Sequence, residues 1–318
     1  MTLRIQGLFL SSLLLFSSCG AGGGGFSKFQ DSSLTIVDSH LHIFPEGFEL
    51  PGGAVVSPDQ AFDVPKAETA LFDAGIGGAF LLSPGYIVVE GDPLRVSKTK
   101  AANDALAKAI TESSGKFWGF CGIPLYSFED AAPEIERCAR DLHFLGIKIH
   151  PTANNVDFTN PGHIATVAAI IAEAGKWDLA VLIDGSSTPT FDFDTARSFI
   201  DKTILSNPQT RVIIAHGLMK NHRLLHYIAE HEGNVRHVFT DVSAVAQEIL
   251  ESSSIDPDEF VMSLRALGMD HVMWGSDGPI FKFGDSLTAF RKLPLTESEK
   301  VAILGENALN FASSHAGL

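Results

Sequence analysis

The 318-residue sequence is short of cysteine and of basic side chains. Its three cysteines are Cys19, Cys121 and Cys138, and none has the C-x-x-C spacing of a zinc knuckle or ribbon. Cys121 and Cys138 could pair in an oxidising compartment, but two buried thiols are the expected state. Lys and Arg number 23 against 38 Asp and Glu, a net charge of −15. Phosphate backbones need a basic face, so a nucleic-acid partner is excluded. No Gly-x-Gly-x-x-Gly run follows the first apolar strand, which speaks against a dinucleotide-binding open sheet. Residues 34–318 contain no linker or shift in composition, so they read as one domain. Hydrophobic residues make up 45% of the chain, enough for a sizeable core.

The N-terminus is a different material. MTLRIQGLFLSSLLLFSSCG carries Arg4, an apolar stretch and then small residues ending at Cys19. It reads as a secretory signal, too short for a stable membrane span. LFSSC resembles a bacterial lipobox, with Phe16 where Leu is usual, so Cys19 is the expected lipidation site and 1–19 the signal. The alternative is an ordinary secretory peptide that discards Cys19. Residues 20–33, beginning AGGGG, would then be a flexible tether. The barrel would lie on the outer side of a bacterial membrane, touching it through a lipid anchor only.

From residue 33 onward, short apolar runs alternate with amphipathic stretches. Strands are expected at 33–44, 77–86, 117–125, 145–151, 179–186, 211–218, 237–245 and 271–279. Helices are expected at 59–75, 97–113, 130–142, 161–175, 193–206, 221–232 and 257–268, with a final pair within 284–313. Asn160-Pro161 starts one helix, Gly175 and Gly268 stop two others, and Thr296 with Glu299 has capping-box spacing. Strands that are apolar throughout are buried on both faces. Eight of them alternating with helices over about 250 residues is the pattern of a (β/α)₈ TIM barrel.

In that barrel, chemistry collects at the C-terminal strand ends. Those ends carry His40 and His42, Lys148 and His150, Asp184, His216, Asp241 and Asp277. Residues i and i+2 share a strand face, so His40 and His42 point the same way. Imidazoles and carboxylates converging in a barrel mouth suit a divalent metal, Zn²⁺ first and Mn²⁺ second.

VDSHLH, GIKIHP, VIIAHG, WGSDGP and ILGENALNF, spread over 37–311 in this order, resemble the amidohydrolase superfamily. The likeness is to the amidohydrolase-related group of hydrolases and aromatic-acid decarboxylases. It implies His40, His42 and Asp277 as metal ligands, with His216 a ligand or an orienting group. It also implies a small-molecule substrate and, often, a homodimer. One position departs: the strand-five ligand is usually His, and here it is Asp184, which would make a two-His, two-Asp site.

The expected activity is hydrolysis of an amide, ester or lactone. Asp277 would act as ligand and base, His216 would polarise the carbonyl, and Lys148 would meet an anionic group. The alternatives are decarboxylation of a small ring acid, with Asp277 as proton donor, and a non-catalytic binder with a decayed metal site. His150, Asp241 and Phe191 are expected at the substrate, with Phe193 as a second wall. His222, His226 and His231 read as a solvated helix face. His237 and His271 lie at the opposite end of the barrel.

Overall fold

The computed structural model describes residues 35–50, 53–88, 90–186, 191–233, 236–252 and 254–314. The expected signal 1–19 with Cys19, and the tether 20–33, lie outside them.

Eight parallel strands run in chain order: β1 (Val37–His42), β2 (Gly78–Leu82), β3 (Phe117–Gly122), β4 (Gly146–Ile149), β5 (Ala180–Ile183), β6 (Val212–Ile214), β7 (Val238–Asp241) and β8 (Val272–Met273). Hydrogen bonds close the ring between β1 and the segment after β8: Ser39 N to Trp274 O at 2.9 Å, Asp277 N to His40 O at 2.9 Å and His42 N to Gly278 O at 2.8 Å. This is the (β/α)₈ TIM barrel that the sequence predicts.

The helices are α1 (Val64–Ala74), α2 (Arg95–Glu112), α3 (Phe128–Arg140), α4 (Pro161–Lys176), α5 (Phe193–Ile200), α6 (Leu224–His231), α7 (Val245–Ser252), α8 (Pro257–Leu267), α9 (Phe283–Arg291), α10 (Glu297–Val301) and α11 (Asn307–Ser313). Asn160 caps α4 with Pro161 in the first turn, and Thr296 and Glu299 form the capping box of α10. Gly268 follows α8 as expected, but α4 runs through Gly175 to Lys176. Helix α7 was not anticipated, nor was the 3₁₀ turn Pro84–Ile87.

Alternation along the strands separates two apolar layers. Val37, Phe80, Leu82, Phe120, Leu182, Ile213 and Met273 fill the barrel interior. Leu41, Leu81, Ile147, Ile149, Val181 and Ile183 pack under the helices. Lys148 lies between Ile147 and Ile149, so alternation turns it inward.

On β1 the alternation is broken once. Asp38 pairs with Ala79 but Leu41 pairs with Leu81, so β1 carries one extra residue. Such a bulge re-aims the side chains beyond it. Here it leaves both Val37 and the later pair His40 and His42 facing the barrel axis, with Leu41 outside.

Cys121 of β3 and Cys138 of α3 form a disulfide, against the expectation of two buried thiols. Spacing could not decide the matter, because the pairing depends on how α3 folds back over β3. His222 is also buried, with its ring nitrogen 2.9 Å from Ser263 Oγ, rather than solvated. Among the described residues no helix is long and apolar enough to cross a membrane.

Candidate metal centre

The strand ends bring three donor atoms together. His40 Nε2 and His42 Nε2 are 3.2 Å apart. Asp277 Oδ1 lies 3.5 Å from the first and 3.2 Å from the second. All three side chains are buried.

The hydrogen bonds decide the protonation of His40. Its Nδ1 donates to Asp241 Oδ2 at 2.9 Å, so in the neutral ring Nε2 carries a bare lone pair. Burial and the Lys148 charge push His40 down to about 4, so it is neutral near pH 7. Burial also lowers His42. Asp277 is held down to about 2: burial opposes ionisation, but the hydrogen bond from His42 and the charges of His216, His40 and His42 outweigh it. Two neutral imidazoles and a carboxylate at this separation are the donor set of a divalent cation, so the residues fit the metal that the motifs imply.

Asp277 sits on a left-handed φ of 57° and His216 on one of 62°. Such backbone is strained in a non-glycine residue and persists only where the surroundings hold it. Asp277 N is tied to His40 O, and His216 N donates to Asp241 Oδ1 at 3.1 Å. Asp38 adds a clamp across the closing seam. Its carboxylate accepts from His40 N at 3.0 Å, Ser276 N at 2.9 Å and Ser276 Oγ at 2.5 Å. The clamp joins Asp38, two residues before the first ligand, to Ser276, the residue before the third.

A second group stands beside the first. His216 Nδ1 donates to Ser243 O at 3.1 Å and Ser243 Oγ at 2.9 Å, and His216 Nε2 faces Asp184 Oδ1 at 3.3 Å. Acceptors at both nitrogens make this ring an imidazolium. Burial opposes the charge, but the hydrogen bond to Asp184 and the charges of Asp277, Asp184 and Asp241 raise His216 to about 9. Burial likewise opposes ionisation of Asp184, but His150, His216 and Lys148 hold it well below the usual carboxylate range. The His216 ring stacks on His40 with centroids 5.0 Å apart.

Asp184 stands against His216 and His150. The clusters of potential ligand atoms that lie within 4.8 Å of one another are His40–His42–Asp277, His40–His216–Asp241 and Cys121–Glu134–Cys138, among the described residues. Asp184 is in none of them. The second cluster is already hydrogen-bonded internally, and the third contains the disulfide.

Lys148 Nζ donates to His40 Nε2 at 3.3 Å, so it touches the ligand group as well as facing the cavity. Burial lowers its pKa against the pull of Asp184, Asp277 and Asp241. His150 Nδ1 accepts from Ala153 N at 3.2 Å and lies 3.5 Å from Asp184. Burial pushes His150 down to about 4. Asp241, expected at the substrate, is instead the anchor of His40 and of the His216 backbone. Ser243 N also donates to it at 3.0 Å, as does Ser243 Oγ.

Phe191 is packed against Phe158 and Phe199, with centroids 4.4 and 5.8 Å away, so it is a core side chain rather than a free wall. Phe193 begins α5 and is 43% exposed. Residues 187–190 of the same loop lie outside the described set.

Sequence reasoning missed Tyr86 and Ser243. Ser243 stands two residues beyond Asp241, a spacing that could have signalled it. The sequence pattern puts Tyr86 at the end of a strand, whereas it lies in the turn Pro84–Ile87.

A family model described as amidohydrolase matches residues 37–311. The chain belongs to the amidohydrolase family. It is 21% identical over 281 residues to a gamma-resorcylate decarboxylase of Rhizobium sp. (strain MTP-10005), covering 77% of this chain and 86% of the relative. Among solved structures it is similar to a dihydroxybenzoic acid decarboxylase from Polaromonas sp. JS666 with bound manganese and the inhibitor 2-nitroresorcinol. The TM-score is 0.65 at 14% identity, over 88% of this chain and 97% of that one. A 5-carboxyvanillate decarboxylase from Sphingomonas paucimobilis gives a TM-score of 0.65 at 16% identity, over 88% and 99%. At these identities the structural likeness establishes the barrel. The amidohydrolase assignment rests on the family match.

Proposed function

We propose that this amidohydrolase is a divalent-cation-dependent decarboxylase of a small aromatic carboxylic acid. The observation that carries the reading is His216, an imidazole with an acceptor facing each ring nitrogen, beside the three-donor centre. Hydrolysis, the first expectation from sequence, asks for a base that takes a proton from water. His216, with an acceptor facing each ring nitrogen, is placed to hold a proton rather than to take one. Decarboxylation asks for the opposite, a proton ready to be given. The relatives named above are decarboxylases of hydroxylated aromatic acids, which supports the same choice.

A cation held by His40, His42 and Asp277 would supply positive charge for the substrate's oxygens. Manganese in the Polaromonas structure favours Mn²⁺ over the Zn²⁺ first expected. Lys148 adds a second positive charge from β4. His216 delivers its proton to the ring carbon bearing the carboxylate. The bond from that carbon to the carboxylate breaks, CO₂ leaves, and the aromatic carboxylate plus one proton becomes the arene. Asp184 keeps His216 charged until delivery, and solvent restores the proton afterwards.

The test is to incubate the Mn²⁺-loaded protein with hydroxybenzoates and a carboxyvanillate in D₂O. Release of CO₂ with one deuterium at the vacated carbon is expected. Acid release from esters or lactones, with no CO₂ from any aromatic acid, would overturn the reading.

We also propose that the protein works in the bacterial envelope, tethered through lipidated Cys19, as a monomer or homodimer acting on small molecules. The signal-like residues 1–19 support this, as does a disulfide, which persists in oxidising compartments. Labelled palmitate should enter the wild-type protein and not Cys19→Ser; equal labelling of the two would contradict it.

A further inference from the structure

Tyr86 is fully buried on the turn Pro84–Ile87 at the end of β2. Its hydroxyl lies 3.3 Å from His42 Nδ1, its hydrogen-bond partner among the described residues. The position is built. Asn154 Nδ2 donates to Tyr86 O at 2.8 Å, and the ring stacks on His150 with centroids 5.7 Å apart. Beneath it, a Cβ on Gly122 would come within 2.4 Å of Tyr86 N, so β3 presses directly on the turn.

We propose that Tyr86 is a positioning residue for the cation centre: its hydroxyl accepts the hydrogen that His42 must carry on Nδ1 when Nε2 binds, and thereby supports the cation affinity. The proposal rests on the reading of His42 as a ligand. A coordinating Nε2 carries no hydrogen, so the neutral ring must hold its hydrogen on Nδ1 and give it to an acceptor. The Tyr86 oxygen is that acceptor. Without a cation, His42 Nε2 faces Asp277 Oδ1 and His40 Nε2, both 3.2 Å away. There a hydrogen on Nε2 is favoured, and Nδ1 becomes an acceptor of the Tyr86 O–H. A hydroxyl can donate and accept, so one group serves both states. His40 is different: its Nδ1 faces a carboxylate, which accepts only, and its tautomer is fixed. The centre thus has one locked imidazole and one that changes tautomer on loading.

Tyr86→Phe keeps the ring, its volume and its stacking on His150. Outer partners of ligand imidazoles contribute roughly 10–100-fold to metal affinity. The Mn²⁺ dissociation constant of the full chain, read from the EPR signal of free Mn²⁺, should rise by that factor. The thermal midpoint of the metal-free protein should stay near the wild-type value. Wild-type Mn²⁺ affinity in Tyr86→Phe would overturn the role of Tyr86 alone; a wild-type chain that binds no Mn²⁺ would overturn the cation reading and this one with it. The ¹⁵N shifts of the His42 ring in the Zn²⁺-loaded wild-type protein give a check that needs no variant. Protonated Nδ1 is expected, and protonated Nε2 would overturn the proposal.

Discussion

Asp277→Asn is expected to abolish turnover and to strip the centre of its cation. Asp277 Oδ1 is the only carboxylate oxygen within 3.5 Å of both ligand imidazole nitrogens, among the described residues. An amide keeps the shape and removes the charge. A cation facing two neutral imidazoles and an amide loses its one anionic ligand. Charge stabilisation by a bound cation contributes several kcal/mol, and each 1.36 kcal/mol is tenfold in rate. The loss in kcat/KM should therefore be about 10³-fold or more. Mn²⁺ affinity should fall by about two orders of magnitude, judged on the same scale. Folding should survive, because Asn tolerates the left-handed φ of 57° found here. Elemental analysis, thermal unfolding and CO₂ release on one preparation separate these effects. An Asp277→Asn protein that keeps its Mn²⁺ would remove Asp277 from the ligand set.

Asp184→Asn should have the second largest effect, and its signature is in pH rather than in metal content. Asp184 faces His216 Nε2 at 3.3 Å and is the leading cause of the raised pKa of that ring. A proton donor works in its protonated form, so wild-type kcat should hold on the acid side and decline as pH rises through about 9. In Asp184→Asn the hydrogen bond to the carboxylate and its charge are gone, and burial is opposed only by the charges of Asp277 and Asp241. The declining limb must then move to lower pH. At pH 7.5 the variant should turn over about 10²-fold more slowly, the usual contribution of a positioned acid, with Mn²⁺ content unchanged. An unmoved alkaline limb would show that His216 is not the donor. Loss of Mn²⁺ would return Asp184 to the ligand set that the family pattern suggests.

The eight strands were legible because each is apolar on both faces, as in VLI of β5 or GAFLL of β2. The order of polar residues at their ends was legible too. Direction was harder. His40 and His42 share a face by spacing, but the bulge between Asp38 and Leu41 turns that face inward, and it depends on pairing with β2. Asp184 was placed at the mouth correctly, yet its partner could not be read. That partner is fixed by the left-handed backbone at His216, which tertiary bonds to Asp241 impose. Phe191 looked like a wall because its loop is polar, whereas Phe158 and Phe199 draw it into the core. Helix α7 was hidden because VSAV continues the apolar run of β7, and the turn between them is marked by the left-handed φ of Ala244. Tyr86 was hidden for a like reason, since SPGY extends β2 in sequence but turns in space.

Anomalous diffraction at the manganese edge from crystals of the Mn²⁺-loaded protein tests the central assignment most directly. A single strong peak bonded to His40 Nε2, His42 Nε2 and an Asp277 oxygen, with Asp184 still on His216, is the expected result. A peak held by Asp184 and His216, or no peak between the β1 histidines and Asp277, would contradict it.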